Sequence, residues 1–594
     1  MRLKIDITMV SLLLCCVYGI LQAERVYPPE GWIEKADPIA SPYAEKGGTL
    51  RFSAAQAPKS LNYYIDNNSY SAMIFGMMYG SLLGFDPISM EFTPALARRW
   101  IISDDMLSYT FELDPEARWS DGRSITAADV KWTFDTIMDP KNPTGPNKVI
   151  YGKFNTPEII DERTVKFTAQ SVHWVNLVSL SGLQILPKHA YQDKDFSKLD
   201  FRDPVVSGPY VVDRIKESVE TRMKRRVDWW AADRISNRNT HNFDYIIFKY
   251  FVDQENAMEA LKKGYVDVYA VYTARLWMTE AAGEKFTRNW IIRQRIQNYE
   301  PRGFQGFVLN MRKFPLNDVR VRKALAHLLD RETMNRTMMF NEYFLQRSYY
   351  EDLYDADHPC ENTFYEYNIT KARQLLREAG FRLNPATGIL EKDGRELKFT
   401  FLMRSSATEK FLVLFNNALK EVGIKMELDR KDLAAWVRDM DAYNFQMSWA
   451  AWGASIFRNP EYSWLSSEAD RPSSNNYPGF KNAEVDALIE EQRTNFNLIE
   501  RNEICRRIDK ILTDQVPYIL LWNTNSTRLF YWNKFGTPAT VLDKFSNERS
   551  LVTYWWYDAE SDRELREAIK HDRALPSKPE IISFDDYFKL EQIN

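Results

Sequence analysis

Short strands and amphipathic helices interleave along the whole chain, with no low-complexity linker and no internal repeat between them. That alternation confines the fold to mixed α/β layers. Gly47-Gly48 leads into a strand at Thr49–Ser53, and Tyr109–Leu113 is another, followed by the turn Ser120-Asp121-Gly122. Thr126 caps a helix with Asp129 three residues on, close to a capping box, and Val130, Phe134 and Ile137 share one face. A helix over Glu255–Lys263 ends at Gly264 and gives way to a strand at Val266–Val271. Asn317-Asp318 starts a helix with Val321, Leu325 and Leu328 inward; Ala372, Leu375, Leu376 and Ala379 repeat that spacing before the natural cap Gly380. Thr408–Val422, Gly423 and Ile424–Leu428 form a helix-to-strand unit, and Ile504, Ile508, Ile511 and Leu512 mark a late helix before the apolar strand Tyr518–Trp522. The 594 residues exceed what one core serves, so two or more domains are expected.

The N-terminus reads as an export signal. Arg2 and Lys4 precede an apolar run from Met9 to Leu21, and Ala23 is a small residue for cleavage before Glu24, making 1–23 the expected signal peptide. Leu14 before Cys15 does not make a lipid-attachment site, so the expectation is a soluble periplasmic protein. Of 4 cysteines, Cys360 and Cys505 lie outside this segment; Cys505 sits on a helical pattern beside Ile504 and Ile508 and reads as a buried thiol, with a bridge to Cys360 as the alternative.

The balance of 78 basic and 82 acidic residues argues against a nucleic-acid partner. Catalytic patterns are missing as well. There is no phosphate loop ending in Gly-Lys-Ser/Thr and no His-Glu-x-x-His; Gly453-Ala454-Ser455 is followed by Phe457 where a nucleophile elbow needs glycine. The histidines at 173, 189, 241, 327, 358 and 571 are dispersed, and His327 reads as a packed or surface helix residue. No catalytic residue, metal site or cofactor is therefore expected. An exported hydrolase is the minor alternative, because a carboxylate pair can assemble in space without a sequence signature.

Four segments resemble the extracellular solute-binding proteins of family 5, the peptide- and nickel-binding components of ABC importers. The first is Pro94–Asp139, with Trp100, Tyr109-Thr110-Phe111, Ser120-Asp121-Gly122 and Thr126-Ala127-x-Asp129-Val130. The others are Ser207-Gly208-Pro209-Tyr210 with Trp229-Trp230, Leu309–Asp330, and the late helix with Val516-Pro517. Trp532-Asn533-Lys534-Phe535 and Tyr554-Trp555-Trp556-Tyr557-Asp558 are similar to the YejA-type oligopeptide binders. The resemblance implies an α/β, two-lobed periplasmic binding protein fold (type II, cluster C-like) with an extra subdomain inserted in the first lobe. Lobe I would take 24–300 plus 524–594, with the insertion at about 70–200, and lobe II 301–523. The implied function is a monomer that captures peptides between its lobes and delivers them to permease subunits in the inner membrane. An oligosaccharide or metal chelate is the alternative solute; the 17 Trp residues keep sugar stacking open.

Loops that follow strands face the interlobe space in this family, which nominates a ligand-binding set. On lobe I these are Asn67, Asn68, Ser69 and Tyr70, for which a plain turn is an equal reading. At the crossing are Tyr299, Arg302 and Gln305; Arg302 either meets a ligand carboxylate or is simply solvated. On lobe II, Arg404 and Ser405 end a strand where free backbone N–H groups favour an anion. Trp449, Trp452 and Ser455 follow the strand Phe445–Ser448 and are expected to cluster, with core packing of one Trp as the competing reading. Classical dipeptide and oligopeptide binders of the family carry an aspartate at the place of Ser455; the nearest acids here are Glu461 and Asp470. The charged tail from Glu560 to Asn594 extends past the family core.

Overall fold

A computed structural model describes residues 24–588 except 67, 200, 202 and 203; the expected signal peptide lies outside them. Three sheets organise the chain. The largest has eight strands in the order Ile581–Ser583, Ile291–Gln297, Thr527–Trp532, Val268–Ala270, Thr49–Ala54, Tyr245–Tyr250, Glu220–Arg225 and Tyr210–Lys216. A five-stranded antiparallel sheet, Arg25–Tyr27, Ala97–Ile102, Ser108–Leu113, Thr164–Thr168 and Glu158–Ile159, shares a core with it. The third sheet runs Lys425–Arg430, Lys398–Met403, Met447–Trp452, Phe304–Leu309 and Tyr518–Leu520.

The local signals become structure for physical reasons. Thr126 and Asp129 form the reciprocal capping box of the helix Ala127–Met138, and Val130, Phe134 and Ile137 are buried, with Phe134 edge-on to Phe167 of the small sheet at 5.9 Å. Ser207-Gly208 locks the end of the helix Ser69–Met78. Both backbone N–H groups donate to the Met78 carbonyl, and a Cβ on Gly208 would overlap the Met77 carbonyl, so only glycine fits. In the third sheet alternate residues face opposite ways. Phe307, Phe401, Met447 and Ile519 pack on one side; Val308, Leu402, Ala450 and Leu520 meet Ile504, Ile508 and Leu512 of the helix Leu498–Gln515 on the other. Cys505 of that helix is a buried free thiol that accepts from Gln492 Nε2 at 3.2 Å; Cys360 is also free.

The C-terminal segment is an integral part of the large sheet. The helix Ala559–Lys570 buries Leu565 and Ala568 beside Trp290 and Trp532. Ile581–Ser583 then pairs in parallel with Arg295–Gln297 as an edge strand. A three-residue strand that borrows its hydrogen bonds from a distant partner carries too little period to be read from sequence.

Candidate functional site

The chain passes from the large sheet to the third sheet between Gln297 and Phe304, and returns between Asn523 and Thr527. Asn523 Nδ2 donates to the Gly303 carbonyl at 2.8 Å, tying the two crossings together, and a Cβ on Gly303 would overlap the Trp452 carbonyl. Strand directions give these crossings their meaning. Thr49–Ala54, Tyr245–Tyr250 and Val268–Ala270 run in parallel, as does Ile291–Gln297 through its antiparallel neighbour Thr527–Trp532. In the third sheet Lys398–Met403, Lys425–Arg430 and Met447–Trp452 are likewise parallel, and Phe304–Leu309 is antiparallel to them. The crossings therefore join the carboxyl ends of one set to the carboxyl ends of the other. Loops leaving those ends line one shared cleft, the usual ligand position in open α/β sheets.

On the second-lobe wall two nominated residues meet. Trp449 Nε1 donates to Gln305 Oε1 at 3.1 Å, and Gln305 Nε2 donates to the Trp522 carbonyl at 2.8 Å. The Trp449 ring packs against Phe307, Phe411 and Trp522 at 5.6–5.7 Å between centroids. Trp452 does not join it. Three residues along a strand is an odd step, so Trp452 points to the opposite face, where it donates to Tyr518 Oη at 3.1 Å and lies against Tyr477. Ser455 is exposed and its Oγ accepts from the Phe457 N–H at 3.1 Å, so the expected cluster of Trp449, Trp452 and Ser455 does not form. Arg404 is exposed, its guanidinium 5.1 Å from the Trp436 ring centre. Ser405 Oγ already accepts from the Ala407 N–H, which uses one of the donors expected to attract an anion.

On the first-lobe wall, Asn67 lies outside the described residues. Asn68 caps the helix Ser69–Met78 by accepting from the Tyr70 N–H at 2.8 Å; Ser69 is half-buried in its first turn. Tyr70 Oη accepts from the Ala55 N–H at 3.0 Å, directly after the strand Thr49–Ala54. Tyr299 turns away to donate to Asp585 Oδ2 at 2.7 Å and packs on Phe545 and Phe584, so it supports the C-terminal segment rather than the cleft. Arg302, on the crossing at the start of lobe II, is neither simply solvated nor fully free. Its Nη1 donates to Glu300 at 3.0 Å, while its Nη2 is buried with no partner among the described residues. Burial lowers its pKa, and Glu300 and Asp352 oppose the shift.

Two residues of this wall escaped the sequence reading. Tyr272 follows the strand Val268–Ala270 and donates its hydroxyl to Glu548. The rule that nominated Arg404, the residue after a strand end, nominates Tyr272 as well. Glu548 had no such signal, because it opens the single 3-10 turn Glu548–Ser550 before the short helix Leu551–Tyr554, away from any strand end.

The lobes touch at both ends of the cleft. Near the crossings Glu342 pairs with Arg295 at 2.7 Å and Arg528 at 3.0 Å, and Tyr343 donates to the Tyr272 carbonyl at 2.8 Å. At the far rim Glu461 meets His173 at 3.2 Å, Lys153 at 3.8 Å and Arg493. The Arg501 guanidinium stacks 4.2 Å from the Trp174 ring centre, and Phe457 packs on Phe85 and Phe92. Burial alone would raise the Glu461 carboxyl, but His173, Lys153 and Arg493 hold it well below its ordinary value; burial lowers His173 against the pull of Glu461. Among the described residues no three His, Cys, Asp or Glu side chains converge as a metal site, and no helix is long and apolar enough to cross a membrane.

With this geometry in place the comparisons with known proteins are decisive. Residues 91–473 match the model of the bacterial extracellular solute-binding proteins, family 5 (middle region). The chain belongs to that family. It is similar to YejA: the uncharacterized protein YejA of Escherichia coli (strain K12) is 26% identical over 564 residues, covering 89% of this chain and 92% of that protein. Among solved structures, the oligopeptide-binding protein AppA of Bacillus subtilis, in complex with a nonapeptide, superposes with a TM-score of 0.69 at 22% identity, over 86% of this chain and 99% of that one. The periplasmic oligopeptide-binding protein of an oligopeptide ABC transporter from Thermotoga maritima gives 0.70 at 20% identity, over 85% and 97%. The two-lobed binding-protein fold expected from the family motifs is thus the fold of this solute-binding protein.

Proposed function

We propose that this family 5 protein is an exported, periplasmic monomer that captures peptides between lobe I (24–300 plus 524–594) and lobe II (301–523) and delivers them to the permease of an ABC importer. It acts by binding, not by catalysis. The observation that carries this reading is the convergence of both sets of strand carboxyl ends on the two crossings. A ligand there touches both lobes only when they close, so binding shifts the population toward the closed form. The walls suit a peptide: aromatic faces on lobe II accept side chains, and hydroxyl, amide and carboxylate groups on lobe I accept main-chain or charged groups. The peptide cargo of the two structural neighbours supports the ligand class.

Native mass spectrometry of protein purified from exporting cells is expected to show peptide masses retained on a chain beginning at or near Glu24. Small-angle scattering is expected to show a smaller radius of gyration once the same peptides saturate the protein. Retained sugars or metal chelates in place of peptides would overturn the ligand class, and an unchanged curve at saturation would overturn closure.

A further inference from the structure

Buried carboxylates in this protein are, as a rule, fully partnered. Asp509 accepts from Ser348 Oγ, the Tyr349 N–H, Tyr354 Oη and Asn362 Nδ2, all within 2.8 Å. Glu461 and Asp470, the acids nearest Ser455 in sequence, are both taken by cations of the chain, although Asp470 is exposed; Asp470 pairs with Lys481 at 2.5 Å and Arg312 at 3.5 Å. Glu300 holds Arg302 with one oxygen and accepts from Asn547 Nδ2 at 2.8 Å with the other.

Glu548 departs from this pattern. It is only 4% exposed, its Oε1 accepts from Tyr272, and its Oε2 is buried with no hydrogen-bond partner among the described residues. Leaving a buried carboxylate oxygen unmatched is costly unless something else pairs with it. Its surroundings place it on the cleft. Tyr272 follows the carboxyl end of Val268–Ala270, the nearby Tyr70 reaches the carboxyl end of Thr49–Ala54 through the Ala55 N–H, and the neighbouring Glu300 belongs to a crossing. Tyr272 is 61% exposed, yet burial and the neighbouring Glu548 push its phenol well above the ordinary value. Water reaches the Tyr272 ring while its hydroxyl is taken by Glu548, so the tyrosine links solvent to the buried carboxylate. Burial likewise raises the Glu548 carboxyl, the shift that an incoming cation would reverse.

The geometry points to Glu548 as the cation-accepting position of the cleft, where its unpartnered oxygen pairs with an ammonium or guanidinium group of a bound peptide and Tyr272 orients the carboxylate. This rests on the peptide reading above. The cation comes either from the peptide's amino terminus or from a lysine or arginine side chain.

The test offers the full mature protein an endoproteinase Lys-C digest of casein, in which peptides carry a free amino terminus and nearly all a lysine, beside the same digest acetylated at its amines. Retention is read by native mass spectrometry. The wild-type protein is expected to prefer the unmodified digest by roughly 10–100-fold, and Glu548→Gln to lose most of that preference while still retaining acetylated peptides. Tyr272→Phe, a change at an exposed ring, is expected to reduce the preference several-fold, and it serves as the test should Glu548→Gln fold poorly. The best-retained peptide is then synthesised with its amino terminus blocked or its lysine replaced by norleucine, which separates the two sources. A preference unchanged in both variants, or equal retention of both digests by the wild type, overturns the assignment and leaves the peptide reading standing. Retention of neither digest overturns the peptide reading itself.

Discussion

The two walls of the cleft are built on opposite plans. On lobe II the polar tips are bonded within the lobe: Trp449 to Gln305, and Gln305 to the Trp522 carbonyl. The wall is a rigid aromatic platform whose polar tips are satisfied from within, so it offers shape and apolar area. On lobe I the groups are charged and partly unsatisfied, with one Glu548 oxygen that has no hydrogen-bond partner among the described residues. Satisfied networks fix a conformation, while unsatisfied buried groups store unused bonding capacity. One wall therefore sets the shape of the ligand's bed, and the other has the means to discriminate charge.

The largest expected effect tests the rigidity of the lobe II wall. Trp449→Ala deletes a ring packed on three aromatics and leaves the Gln305 carbonyl oxygen unpaired, so urea denaturation is expected to show a loss of about 3 kcal/mol. Tyr272→Phe on the lobe I wall is expected to cost less, about 1–2 kcal/mol, since it deletes no ring but leaves the Glu548 oxygen it serves unpaired. Equal losses would erase the distinction between the walls.

A second, intermediate effect concerns how the walls are brought together. Glu461→Gln removes the charge that gathers His173, Lys153 and Arg493 at the rim. The closed arrangement is expected to lose about 1–3 kcal/mol, seen as a larger radius of gyration of the ligand-free protein in small-angle scattering. An unchanged curve would show that the walls and the contacts of Glu342 hold the lobes together without the rim.

The last effect is a pH slope arising beside the crossing at Asn298. Asp543, whose carbonyl accepts from Asn298 of the crossing, has its carboxyl raised from 3.8 to about 7, chiefly by burial. Between those values the folded protein keeps a proton that the unfolded chain has released. Stability contributed by this group is therefore full below its unfolded value, falls as pH rises through the window, and is lost above about 7. Asp543→Asn is expected to flatten the decline in melting temperature between acidic and mildly alkaline buffer. An undiminished slope would place the responsible group elsewhere.

Much of the local structure was determined by the sequence alone, because it depends on neighbours a few residues apart. The capping box at Thr126 and the buried faces of the helices at Ala127–Met138 and Val319–His327 follow from short-range capping and amphipathic spacing. The family motifs carried the two-lobed fold in the same way, since they encode packing: Ser207-Gly208 holds a helix end and never reaches the cleft. The opposite directions of Trp449 and Trp452 were not read, because the strand was expected to end at Ser448 and in fact runs over Met447–Trp452. Tertiary structure alone decided the rest. The capture of Tyr299 by Asp585 and of Glu548 by Tyr272 joins residues 286 and 276 positions apart. The edge strand Ile581–Ser583 exists only because Arg295–Gln297 offers it unpaired backbone groups. Such pairings depend on which chain segments the topology brings together and which polar groups burial leaves unsatisfied, and neither quantity is a property of a local stretch of sequence.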